Sequence, residues 1–268
     1  MSNKLIYPFL TASLIFPIGG CQEGSKETNT PNEEEGQDRS GEWSYKGDTG
    51  PEHWGDLDPD YAACVDGSEQ SPINIEFSQV TEDDQNIESM KIDYNPASFT
   101  LVNNGHTVQA ESPSEMNRLV IDENEYELSQ FHFHTPSEHQ FNGEKYDMEL
   151  HLVHEDKNGK LAVIGVMLQE GEEHEELSEA WENLPASENA KDIAMDEPID
   201  LQALLPEDQN SFHYNGSLTT PPCTEEVHWI IFEQPMEMSN EQIQGFQQIF
   251  PDNHRPVQER NDREILKN

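Results

Sequence analysis

Basic residues are scarce in this chain. Fourteen Lys and Arg stand against 55 Asp and Glu, and the formal net charge is −41 at pH 7. A surface of that sign repels nucleic acid, so no nucleic-acid partner is expected. Cysteine is scarce as well: there are three, none in a CxxC pair, which leaves a cysteine-rich metal site or a dithiol redox centre unsupported. Neither an HExxH helix motif nor a GxSxG elbow occurs, which argues against a zincin peptidase and a hydrolase built on a serine elbow. The N-terminal apolar stretch, Leu5 to Ile18, is broken by Pro8, Thr11, Ser13 and Pro17 and is too short to span a bilayer comfortably. No internal repeat is visible.

What is present begins with a leader. Lys4, the broken apolar stretch and Ile18-Gly19-Gly20-Cys21 read as an export signal over residues 1–20. The pattern resembles a bacterial lipoprotein signal, in which Cys21 becomes the lipidated first residue. The expected address is extracytoplasmic, tethered by that lipid to the outer face of a bacterial membrane, with secretion or a periplasmic location as alternatives. Cys64 and Cys223 then remain as one pair that an oxidising compartment permits, although two cysteines alone do not establish a bond. Gln22 to Glu42 contains no aromatic residue and too little apolar surface to offset the entropy of folding, so residues 21–42 are expected to be a flexible acidic tether. Removing residues 1–20 takes away one charge, Lys4, and −41 − 1 gives −42. Salt-rich or alkaline surroundings account for such an excess without a ligand.

Residues 43–268 read as one domain rich in strands. Short apolar or alternating stretches cover Phe99 to Val102, Thr107 to Ala110, Arg118 to Ile121, Tyr126 to Thr135, Glu149 to His154, Leu161 to Gln169 and His228 to Glu233. Helices are expected only at Glu173 to Leu184 and at Asn240 to Phe250, the second capped by Ser239 or Asn240.

The segment that decides the chemistry is Gln130-Phe-His-Phe-His134. Side chains alternate along a strand, so His132 and His134 share one face while Phe131 and Phe133 share the other. In Glu149-Leu-His-Leu-Val-His154, Glu149, His151 and Val153 share a face. The intervening loop is long enough to return the second strand antiparallel beside the first, so that His151 completes a triangle with His132 and His134. Three neutral imidazoles with an open fourth position form a catalytic zinc arrangement, and the absence of a nearby carboxylate ligand argues against the iron facial triad. Gln130 and Glu149, each two residues before a ligand on the same face, are placed to accept the second ring N–H of His132 and His151.

With these motifs in order, the chain from Trp43 to about Glu264 resembles an alpha-class carbonic anhydrase. The further markers are Gly50-Pro-Glu-His-Trp54, Gln70-Ser-Pro-Ile-Asn74, Asn103-Asn-Gly-His106, Ser137-Glu-His139, Gly216-Ser-Leu-Thr-Thr-Pro-Pro-Cys223 and Arg255-Pro256. The resemblance implies a mainly β fold, a single domain with a central, largely antiparallel twisted sheet of about ten strands and a few peripheral helices. It implies reversible hydration of carbon dioxide to bicarbonate and a proton by attack of zinc-bound hydroxide. Zinc would be held by Nε2 of His132 and His134 and Nδ1 of His151, with Asn253 joining Gln130 and Glu149 behind the ligands.

By the same resemblance Thr219 orients the nucleophile and bonds to Glu138, Thr220 borders the bicarbonate site, and Val153, Val163, Leu218 and Trp229 form an apolar wall. His106 is implied as the proton shuttle, a task its ordinary pKa near 6.5 suits. Tyr45, Asn104 and Gln109 would organise cavity water, and Cys64 would pair with Cys223. Gln109 stands where many members carry asparagine, and Tyr45 lacks flanking glycines, which puts the proton-transfer rate rather than the zinc centre in question. The family also leaves room for a homodimer and for non-catalytic binding proteins; the complete histidine set argues against the latter.

Overall fold

The computed structural model describes residues 41–82, 90–113 and 116–268. The export signal, Cys21 and the tether up to residue 40 lie outside them. Among the described residues no helix is long and apolar enough to cross a membrane.

Among the described residues fourteen strands follow one another: β1 (Asn74–Ile75), β2 (Thr81–Glu82), β3 (Met90–Asp93), β4 (Thr100–Asn103), β5 (Val108–Glu111), β6 (Arg118–Ile121) and β7 (Asn124–His134). Next come β8 (Gln140–Phe141), β9 (Met148–Asp156), β10 (Leu161–Glu170), β11 (Ile193–Ala194), β12 (Ser211–Ser217), β13 (Glu225–Met238) and β14 (Leu266–Lys267). Twelve of them build one sheet in the order β11-β4-β5-β7-β9-β10-β13-β12-β14-β2, with β6 beside β7 and β3 beside β6. Within it only β10–β13 and β14–β2 run parallel. The sheet is thus largely antiparallel as expected, and two strands wider than expected.

Strand alternation divides the core. Ile230 and Phe232 of β13 join Phe131, Phe133, Leu150, Leu152 and Ile164 on one face. Trp229 and Ile231 of the same strand join Ile73, Val163 and Tyr214 on the other. Because β10 and β13 bury both faces, they read as continuous apolar runs rather than alternating ones.

The register of β10 against β13 slips between Val166 and Leu168, passing from Phe232 to Met236 and skipping Glu233, Gln234 and Pro235. Proline has no N–H to give a ladder, which is why the strand appears from sequence to stop at Glu233. It resumes and runs to Met238.

The helices are few and short. The Asn240–Ile249 helix carries a capping box: Ser239 Oγ accepts from Gln242 N, and the Gln242 side chain accepts from Ser239 N. The helix expected over Glu173 to Leu184 is shorter than that. It is a 3-10 turn at Glu175–Leu177 followed by an α-helix at Ser178–Glu182, in which Ala180 alone is fully buried. Pro185 just beyond disfavours helical backbone at Leu184, so the helix ends early although Leu177, Ala180, Trp181 and Leu184 pack on the core.

Candidate metal centre

In the β7–β9 ladder His132 lies directly opposite His151 and His134 opposite Glu149. Opposed residues of an antiparallel pair share a face, so the three histidines converge while Phe131 and Phe133 point into the core. The register shifts by one residue between Leu128 and Gln130, and that bulge sets the face on which His132 emerges. His132 Nε2 and His134 Nε2 stand 3.1 Å apart. One ring nitrogen from each of the three histidines falls within 4.8 Å of the others.

Each ring is held from behind. His132 Nδ1 donates to Gln130 Oε1 at 2.8 Å, and His151 Nε2 donates to Glu149 Oε1 at 2.8 Å. His134 Nδ1 donates to the backbone carbonyl of Asn253 at 2.7 Å. The nitrogens left over are Nε2, Nε2 and Nδ1, the set anticipated for zinc. Asn253 therefore acts through its main chain, while its amide side chain ties Thr135 N, Phe133 O and His106 O together.

The electrostatics favour the neutral form at His132 and His134, and act in the opposite direction at His151. Burial lowers His132, and the neighbouring His134 and His151 lower it further, to well below the ordinary histidine range. Burial also lowers His134. Burial works against protonation of His151 too, but Glu149 outweighs it and raises that ring. Burial alone would raise the Glu149 carboxyl; contact with His139 and His151 instead holds it well below the usual carboxylate range. Glu149 is thus an anion that makes one ligand more electron-rich without taking a metal position.

Glu149 is itself fixed on every side. Its Oε2 accepts from Glu138 N and His139 N, and its Oε1 faces His139 Nδ1 at 2.7 Å. His139 Nε2 meets Tyr214 Oη at 2.6 Å, and that hydroxyl meets Ser71 Oγ at 2.8 Å. Opposite His151 on β10 stands Gly165, where an added Cβ would come within 2.6 Å of Ile231 Cδ1 and 3.1 Å of Glu149 Oε1. The absent side chain leaves room for the carboxylate.

Glu138 is fully buried, and its Oε1 accepts from Arg255 N at 2.8 Å. Its Oε2 is buried without a hydrogen-bond partner, 3.5 Å from His134 Nε2 and 4.0 Å from His151 Nδ1. The expected Thr219–Glu138 hydrogen bond is not formed in this structure: Arg255 N fixes the carboxylate, and the free oxygen looks toward the ligand nitrogens. Thr219 is buried on the loop after β12, Thr220 half-buried beside it. That loop is closed by Leu218 N to Thr224 O and Cys223 N to Thr220 O, and by the disulfide from Cys223 to Cys64.

The apolar wall is a line across three strands, Val153 opposite Val163 and Val163 opposite Trp229. Leu218 packs against the same cluster, and the Trp229 ring lies 4.9 Å from that of His151. On the other side Gln109 sits opposite His132 and shares its face. His106 occupies the turn between β4 and β5, its ring stacked on Trp43 at 3.6 Å and 6.4 Å from Tyr45. Burial lowers His106, and Glu188 partly offsets that. Asn104 Oδ1 accepts from His106 N and Thr107 N, so its oxygen shapes the turn that carries the shuttle candidate. Burial and Glu138 raise Tyr45 well above its ordinary value, which keeps it a neutral hydroxyl.

Four residues that matter here had no role assigned from sequence: His139, Tyr214, Arg255 and Trp43. The motifs Ser137-Glu-His139 and Arg255-Pro256 marked two of them, but their partners lie far away along the chain.

The family model described as eukaryotic-type carbonic anhydrase matches residues 49–268. A carbonic anhydrase of Nostoc sp. is 43% identical over 227 residues, covering 84% of this chain and 85% of its own. The alpha-carbonic anhydrase of Thermovibrio ammonificans, solved with the inhibitor sulfanilamide, superposes with a TM-score of 0.81 at 41% identity, covering 84% of this chain and 99% of its own. A dioscorin solved with ascorbate also superposes, with a TM-score of 0.79 at 33% identity over 84% of this chain and 97% of its own.

Proposed function

The chain belongs to the alpha class of carbonic anhydrases, and from that membership we propose that His132, His134 and His151 hold the zinc for reversible hydration of carbon dioxide to bicarbonate. The observation that carries the assignment is the convergence of Nε2, Nε2 and Nδ1 with every opposite ring nitrogen already bonded. Zinc bound to three neutral imidazoles supplies a Lewis acid that brings water to a pKa of about 7, a value that characterises carbonic anhydrases as a class. Metal analysis coupled to a hydration assay tests the reading.

The chain's own residues supply the rest. The unpartnered Glu138 Oε2 supports Thr219 as its donor during turnover. With its proton committed to Glu138, the Thr219 oxygen can only accept, and so orients the attacking oxygen's lone pair toward the substrate. Val153, Val163, Leu218 and Trp229 suit a linear molecule without charge, and Thr220 borders the site of the product anion. Asn104 and Tyr45 beside His106, and Gln109 opposite His132, would organise the water of a proton path between them.

His106 takes the proton to the rim. Its shift below the ordinary value keeps the ring unprotonated, ready to accept, at neutral pH and above. In weak buffer, His106→Ala should slow turnover by about two orders of magnitude, the low end of the range for a proton-transfer group. Imidazole-type buffers should restore much of the rate. Full activity of the variant without added buffer would show that another group exports the proton.

We also propose export, with Cys21 lipidated and residues 22–42 as the spacer. Support comes from the leader sequence alone. Mass spectrometry of the native N-terminus should find a lipidated Cys21; an unmodified terminus elsewhere would remove the anchor.

Acidity is the remaining feature to which we assign a role, as adaptation to salt. If every Lys and Arg paired with an acid, 55 − 14 = 41 carboxylates would still lack a cation. Pairs such as Lys46–Asp252 at 3.5 Å and Lys91–Asp93 at 3.6 Å are solvent-exposed and contribute little. At low ionic strength like charges repel over about 10 Å or more, whereas at roughly 1 M salt the range falls to about 3 Å. The thermal midpoint should therefore rise by several degrees from roughly 0.05 to 2 M sodium chloride. A flat or falling midpoint would sink salt-stabilised folding.

A further inference from the structure

Outside the histidine triangle, Lys145, His254 and Asp252 form a row. His254 Nδ1 donates to Asp252 Oδ1 at 2.6 Å, and the other ring nitrogen, Nε2, is hydrogen-bonded to Lys145 Nζ. Lys145 lies exposed in the turn between β8 and β9, while His254 and Asp252 are half-buried in the segment after the Asn240–Ile249 helix. Asp252 and His254 line one side of a groove of about 490 Å³ that also runs past Tyr45, Lys46 and His53.

The chemistry follows from the tautomer. With Nδ1–H committed to Asp252, Nε2 carries the lone pair and can only accept. An amine whose N–H points at a ring nitrogen, itself oriented by a carboxylate, is a nucleophile beside its own base. Partial desolvation of the otherwise exposed side chain lowers Lys145 from its ordinary value, and Asp252 and Glu138 only partly restore it. Lys46 Nζ, 3.5 Å from Asp252 Oδ2, is the other cation at the row.

We propose that Lys145 is a carbamylation site for carbon dioxide, with His254 as the base and Asp252 as the group that orients it. The Nζ lone pair forms an N–C bond to the carbon of carbon dioxide, and one C=O electron pair moves onto oxygen. The proton released by Nζ goes to His254 Nε2, giving an imidazolium paired with Asp252 on one side and with the new carbamate on the other. Nothing is oxidised or reduced. Return of the proton to nitrogen releases carbon dioxide again, so the modification tracks the dissolved gas. The step needs neither zinc nor the hydration reaction; it shares only their substrate.

To test it, zinc-loaded enzyme is equilibrated near neutral pH with isotopically heavy carbon dioxide, trapped with triethyloxonium ion, digested and read by mass spectrometry. Lys157, exposed and without a histidine partner among the described residues, is the internal reference. Lys145 should carry the trapped group at least about fivefold more often than Lys157, as expected of an amine with a lowered pKa and a base. In His254→Gln that excess should vanish while the circular dichroism matches wild type. Equal labelling of the two lysines in wild type, or an excess that survives His254→Gln, overturns the proposal. Hydration is assayed on the same wild-type sample, so a failure of labelling stays separate from a failure of the zinc reading.

Discussion

His132→Ala is expected to give a folded chain that neither retains zinc nor hydrates carbon dioxide above background. The fold should survive because His132 lies on the open face of β7, half-buried, while the core is filled from the opposite face by Phe131 and Phe133. The centre should not survive, because two nitrogens from His134 and His151 cannot close a tetrahedral site with one position left for water. Loss of the metal removes the acidified nucleophile, and a fall of at least about three orders of magnitude follows, since uncoordinated water has a pKa near 15.7. The variant's near-ultraviolet circular dichroism should match wild type while its zinc content drops toward zero. Zinc at about one per chain together with wild-type hydration would refute the triangle as the site.

That centre was legible because its information is local. Residues two apart on a strand share a face, so His132 and His134, Gln130 behind the first, and Glu149 behind His151 follow from spacing alone. The structure needs only the β7–β9 register to bring His132 and His151 together. Asn253 is different: its contribution is a carbonyl oxygen, which every residue has, and nothing about an asparagine side chain announces it. The contacts of His139, Tyr214 and Ser71 are equally silent, because the bond between Tyr214 and Ser71 joins residues 143 positions apart. The strands that sequence missed, such as β3 and β12, are short or rich in polar residues. Ser211–Ser217 reads Ser-Phe-His-Tyr-Asn-Gly-Ser, and its pairing with β13 on one side and β14 on the other makes it a strand. Propensity is a weaker guide than neighbours there.

A second layer of long-range contacts joins the centre to the rest of the fold. Arg255 is fully buried; its main chain holds Glu138, while its guanidinium donates to Gln70 Oε1, Ser71 O and Cys64 O. Burial lowers that guanidinium to about 10, still a cation at neutral pH, and Trp54 lies against it at 5.5 Å. The residue therefore couples the carboxylate beside the zinc ligands to the segment that carries Cys64. From Cys64 the covalent path leads to Cys223 and the Thr219 loop.

Removing that covalent path should lower stability substantially. The Cys64–Cys223 bond spans a sequence separation of 159. Closing a loop of that size restricts the unfolded chain strongly, and loss of a native disulfide costs about 2–5 kcal/mol. Cys223 also holds a backbone φ of 56°, a region few non-glycine residues occupy, so the loop needs its restraints. Some of these remain without the bond: Gln70 Nε2 donates to Cys223 O at 3.1 Å and Arg255 to Cys64 O at 2.9 Å. The Cys64→Ser/Cys223→Ser double variant should accordingly unfold about 2–5 kcal/mol more easily in urea. Its hydration rate in the folded state should fall by only about tenfold or less, since the loop loosens while Glu138 and the histidines stay in place. Reduction of the wild-type bond should move the unfolding curve in the same direction. Unchanged curves in both experiments would mean that the bond restrains nothing the fold does not already hold, and would leave Arg255 and Gln70 as the clamp on the Thr219 loop.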